Sequence, residues 1–99
     1  MPKRSSPLEK RGPFRATLFK YQGKGGWVFA PVPKKHAPPV TRPWGRTPVV
    51  AIVDGHEWAT SVWRDSKSDR SLLAVPSRIR GAKGHGDRVT VELSFDPDD

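Results

Sequence analysis

TPVVAIVDGHEWATSV, residues Thr47 to Val62, is the stretch that decides how this chain folds. At its centre stands Asp54-Gly55, flanked on both sides by β-branched and aromatic residues. Asp and Gly both tolerate the positive φ that a two-residue type I′ turn requires, and the twist of that turn matches the twist of two antiparallel strands. The segment therefore reads as a hairpin in which Val53 faces His56, Ala51 faces Trp58 and Val49 faces Thr60. Its first arm is apolar on both sides, which points to a strand covered on both faces, as in a closed or sandwiched sheet.

Downstream, RDSKSDR (Arg64–Arg70) is a polar loop and SLLAVP (Ser71–Pro76) a short buried strand. Ser77–Lys83 allows one helical turn or a loop, and GAKGHGD delivers the chain to RVTVELSF, Arg88–Phe95, whose strict alternation marks a final strand. Asp87 after Gly86 suits a side chain that fixes this turn through backbone N–H groups. Upstream, FRATLFKY (Phe14–Tyr21) alternates with Phe14, Ala16 and Leu18 on one face, and QGKGG (Gln22–Gly26) turns the chain into WVFAPV (Trp27–Val32). Prolines at 33, 38, 39, 43 and 48 hold any helix at Lys34–Ala37 to about one turn. The count is six strands, with Trp27 and Trp58 expected in the core.

At 99 residues this is a single domain. It divides into a disordered basic tail over residues 1–12, a folded body over 13–96 and an acidic tail over 97–99. MPKRSSPLEKRG carries one Leu among prolines, serines and charges, too little apolar area to offset the entropy of ordering. No cysteine is present, which excludes disulfides and thiolate metal sites, and the three histidines, at 36, 56 and 85, have no metal-ligand spacing. The expectation is no metal and no cofactor. No apolar run reaches the roughly 20 residues that span a bilayer, and no secretory signal can be drawn, so a cytoplasmic protein without membrane contact is expected.

The net charge is +8, and residues 13–95 hold 14 basic against 6 acidic side chains. Such an excess favours encounter with polyanions by phosphate neutralisation and counterion release. The basic and aromatic residues fall on predicted loops: Arg42, Trp44 and Arg46 before the hairpin, Arg64 after it, and Arg78, Arg80 and Lys83 before the last strand. Guanidinium groups fork onto phosphate oxygens and an exposed indole stacks on bases, so this set predicts weak, largely electrostatic nucleic-acid binding with Trp44 stacking. The alternatives are a pocket for a small anionic ligand at the barrel mouth, lined by Trp58 or Trp63, and a surface that docks a protein partner by a strand edge. Catalysis is not expected: Ser61 or Ser71 with His56 and Asp54, or the pair Asp54 and Glu57, come with no supporting motif.

Several pieces in order carry a likeness. They are Trp27-Val28-Phe29 with Pro33 after it, Gly45-Arg46 before the VVAIVDG hairpin with Trp58 and Ser61, LLAVPSRIR from Leu72, and GDRVTVEL from Gly86. Over Phe14–Asp96 the chain resembles a family of small bacterial domains of unknown function, sometimes fused to a YdeI/OmpD-associated (bacteriocin-protection-like) domain. The resemblance implies an all-β, six-stranded double-split β-barrel related in shape to AbrB-type swapped-hairpin barrels, which in transcription regulators bind DNA as dimers. KKHAPPVTRP departs from the family's pattern, replacing a short helix after Pro33 with a proline-bound loop.

Overall fold

The computed structural model describes residues 8–21, 26–40 and 45–96. Strands β4 (Arg46–Val53) and β5 (His56–Asp65) form the hairpin, with Asp54 at φ 48° and Gly55 at φ 87° as a type I′ turn demands. Val53 pairs with His56, Ala51 with Trp58 and Val49 with Thr60, the register that the turn predicts. Around this hairpin lie β1 (Glu9–Thr17), β2 (Phe19–Lys20), β3 (Val28–Val32), β6 (Arg70–Ala74) and β7 (Arg88–Phe95). All pairings are antiparallel, and the strand order is β1-β7-β4-β5-β6-β3-β2.

The described residues thus form an all-β domain whose seven strands make an open half-barrel, where six strands were expected. The difference lies at Leu18. Its N–H donates to the Asp87 carbonyl and its carbonyl accepts from the Gly86 N–H, both at 2.8 Å, while its side chain is fully buried. Pinned to the turn before β7, the chain bends there. The predicted first strand becomes β1, paired with β7, and β2, paired with β3, so one segment supplies both outermost strands.

The expected tail boundary also moves. Glu9–Arg11 pair with Leu93–Phe95, and the register shifts between Arg11 and Phe14. Gly12 makes that irregularity feasible: its φ is 98°, and a Cβ there would stand 2.7 Å from the Val91 carbonyl oxygen. Backbone pairing to β7, rather than apolar burial, orders these residues. Residues 1–7 and the expected acidic tail at 97–99 lie outside the described residues.

Alternation puts Val28, Ala30 and Val32, Val49, Ala51 and Val53, and Val89, Val91, Leu93 and Phe95 on the concave face, all buried. Ile79 from the single turn α1 (Ser77–Arg80) joins the same cluster. On the other side of β4, Pro48, Val50 and Ile52 stay only half-buried, so this strand is not covered on both faces as its sequence suggested. The chain curls one sheet over a single core instead of packing two sheets together. After Pro33 the proline-bound loop forms one 3₁₀ turn, Lys34–His36, within the length that its prolines allow. No helix among the described residues is long and apolar enough to cross a membrane.

Candidate functional site

Residues that alternate with the core positions face outward, and across β2, β3, β6 and β5 these are unusually large. Phe19 lies opposite Phe29, Phe29 opposite Ala74, Pro31 opposite Leu72, and Leu72 opposite Trp63. Of these, Phe29, Ala74, Leu72 and Trp63 line a groove of about 530 Å³, together with Tyr21, Trp27 and Asp65. Trp27 is 58% exposed, Tyr21 50% and Trp63 40%. Phe29 is the hub: Trp27 stacks on it at 6.5 Å, Tyr21 meets it edge-on at 6.0 Å and Phe19 tilts against it at 5.8 Å. Fully burying a large apolar side chain is worth about 1.5–3 kcal/mol, so the fold forgoes several kcal/mol by leaving these rings in water. A contiguous exposed aromatic face of this kind is the candidate binding surface of the domain.

Trp27 was expected in the core, and the structure turns it outward. It shares parity with Phe29 and Pro31, whereas Val28, Ala30 and Val32 point inward. The interior of a small curled sheet takes valine and alanine side chains, and an indole at these positions would overfill it. Size alone misassigned this residue, whereas parity within WVFAPV was the signal that could have found it. Trp58 does reach the core, half-buried against it. Trp58 and Trp63, five apart on one strand, consequently face opposite sides of the sheet, and the groove that holds Trp63 lies on the outer face rather than at a barrel mouth.

The predicted cations separate into two groups. At the start of β4, the Arg46 guanidinium stands 5.7 Å over the Trp63 ring, its Nε buried without a hydrogen-bond partner among the described residues. Arg64 follows Trp63 and pairs with Asp69, whose carboxylate also draws the Lys34 ammonium to 3.9 Å. Arg70, which was not among the predicted residues, lies 4.8 Å over Phe19. Guanidinium groups over aromatic faces are favourable by about 0.5–1 kcal/mol at exposed sites and leave their N–H edges free to donate.

At the other end of β4, roughly 25 Å away along an extended strand, Arg80 and Lys83 are tied into the fold. Arg80 Nε donates to the Val75 carbonyl and Nη1 to the Lys83 carbonyl, both at 3.1 Å. Lys83 Nζ donates to Asp54 Oδ2 at 2.8 Å and to the Arg88 carbonyl at 2.7 Å. Those contacts, with the Thr90 N–H on Asp54 Oδ1 at 2.9 Å, hold the Asp54 carboxyl below its ordinary range, Lys83 being the larger cause. Asp54 is therefore engaged by Lys83 and Thr90 rather than by His56, which sits across the turn opposite Val53. Arg78 is exposed on α1, while Arg42 and Trp44 lie outside the described residues.

Two smaller expectations concern turns and histidines. The Gly84 N–H donates to Asp87 Oδ2 at 2.8 Å, the turn-fixing contact anticipated for that aspartate. His36 stacks on Phe14 at 4.9 Å and His85 Nδ1 accepts from the Lys20 N–H at 3.0 Å. Asp65, on the groove wall, accepts from Ser68 Oγ at 2.7 Å and from the Lys67 N–H, and its carboxyl is held below its ordinary range chiefly by the serine.

Comparison with curated proteins finds no match, and comparison with solved structures finds none either. Residues 14–93 do match the family described as domain of unknown function DUF1905, and the chain belongs to that family.

Proposed function

We propose that this domain is a non-enzymatic binding module that takes single-stranded nucleic acid along its outer aromatic face. One observation carries the reading: Tyr21, Trp27 and Trp63 stand open to solvent around one groove, with guanidinium groups over Trp63 and Phe19. Stacking suits unpaired bases, which expose their π-faces, and is worth about 1–3 kcal/mol per base. Arg46, Arg64 and Arg70 supply cations for the backbone, and Asp65 offers a carboxylate acceptor for base N–H groups. The curled sheet is taken in this reading as the double-split barrel of the family resemblance, with β1 and β2 as the divided strand.

A titration with short oligo-dT followed by tryptophan fluorescence tests this. Saturable quenching is expected, weaker for a duplex of equal length, with log K falling by about 0.7 per phosphate contact as log salt rises. A folded protein whose fluorescence ignores the oligonucleotide refutes the reading.

The volume of the groove favours one other occupant. At about 530 Å³ it falls within the roughly 300–1,000 Å³ of small-molecule sites. A small planar anion would bind one-to-one, with affinity independent of any chain length and only modestly dependent on salt. Pull-downs that recover one protein and no nucleic acid would favour the docking alternative instead.

A further inference from the structure

A second cavity, of about 370 Å³, opens where β1 and β3 part. These strands approach without pairing, and proline explains why. Backbone polar groups alternate sides along a strand, and Val28 gives its carbonyl to the Val75 N–H on the β6 side. The missing N–H of Pro31, three residues on, therefore lies on the β1 side, and so does that of Pro33. The seam cannot zip closed there. Into this opening the chain places Arg15, Lys34, Arg64 and Arg70 against one carboxylate, Asp69. Four cations and one anion leave the cavity with three positive charges in excess. Arg64 and Lys34 already converge on Asp69, which fixes where their donors point. Arg70 is held by the Phe19 ring and donates weakly to Ser68 Oγ at 3.4 Å. Arg15 also acts on Asp54, as the weakest of the influences that lower that carboxyl.

We infer that this seam is a phosphate site, selective for a phosphate dianion, either inorganic phosphate or the terminal monoester of a strand. Two formal charges on three or four oxygens match several converging guanidinium and ammonium donors, whereas a chloride or a single diester charge satisfies fewer of them. The site goes beyond the aromatic-face reading, because none of the exposed rings lines this cavity. Asp69 acts as an internal competitor: it preorganises Arg64 and Lys34 when the site is empty and opposes a second anion when it fills. Its φ of 57° and 64% exposed side chain place it in the turn between β5 and β6, at the solvent edge of the cavity.

Titration of the whole chain with inorganic phosphate at constant ionic strength, followed by ¹H–¹⁵N shifts, is the test. Saturable one-to-one shifts are expected, confined to residues 15–17, 31–34 and 64–71 and reproduced by no equal concentration of chloride. Arg70→Gln and Lys34→Gln should each weaken phosphate by about five- to tenfold. Asp69→Asn should tighten it, and protonating phosphate to the monoanion should weaken it. Trp27→Ala should leave phosphate affinity unchanged, which separates this site from the aromatic groove. A 5′-phosphorylated oligo-dT binding better than its unphosphorylated twin identifies a strand end as the source of the anion; equal affinities identify free phosphate. Shifts that chloride reproduces, or a phosphate affinity that survives both Arg70→Gln and Lys34→Gln in folded variants, overturn the proposal.

Discussion

The two ends of β4 hold similar residues put to different use. Where the strand begins, Arg46, Arg64 and Arg70 lie over rings or beside cavities, and the rings themselves face solvent. Where it ends, Arg80 and Lys83 spend their donors on the carbonyls of Val75, Lys83 and Arg88 and on the Asp54 carboxylate. An arginine bonded to backbone carbonyls inside its own fold has little left for a ligand, while one seated on an aromatic face keeps its N–H fork free. A net charge of +8 thus says little until each cation's partners are known.

The largest expected effect breaks the contrast at the open end. Replacing Trp27 and Trp63 together by alanine should lower oligo-dT affinity about a hundredfold or more, as the loss of two stacked bases implies. Because Trp27 is 58% and Trp63 40% exposed, thermal stability should fall less than on truncation of a fully buried residue such as Leu73. A large fall in melting temperature instead would assign these rings to the core.

Next comes the closed end. Arg80→Gln removes two charge-assisted bonds to carbonyls and should cost about 1.5–3 kcal/mol, or about 6–24 °C in thermal unfolding, with oligonucleotide affinity unchanged. An affinity loss at full stability would show that Arg80 serves a ligand after all. Lys83→Met is expected to cost less, about 1 kcal/mol or under in chemical denaturation, since the side chain is 44% exposed and its ion pair is screened.

The smallest effect is a pH dependence. Asp54 ionises more readily in the fold than in the open chain, so it contributes stability above the ordinary carboxylate range, and that contribution vanishes as pH falls through its lowered value. Denaturation midpoints measured below about pH 4 should therefore fall less steeply for Asp54→Asn than for the parent chain. Equal slopes would mean that Lys83 does not stabilise the carboxylate.

Local chemistry made much of the fold legible. Asp54-Gly55 specifies its own turn, the turn specifies register, and the alternation in RVTVELSF and in Phe14-Ala16-Leu18 specifies which side chains meet the core. The bend at Leu18 was not legible, because it depends on a carbonyl of Asp87 and an N–H of Gly86 nearly seventy residues away in the chain. The site was legible only in part. Trp63, Arg46 and Arg64 could be picked out as basic and aromatic neighbours of the hairpin, but Tyr21, Trp27, Phe29 and Arg70 come from strands whose adjacency is a property of the sheet order.

What the chain alone determined, then, is an all-β domain with a single hairpin register and a strongly cationic surface, since these follow from turn chemistry, two-residue periodicity and charge. Only the tertiary structure decided which outward rings share one groove, which arginines are spent on carbonyls and where β1 and β3 fail to join. Those outcomes depend on what stands across each strand and on how much room the curled interior leaves, and neither is written in any local run of residues.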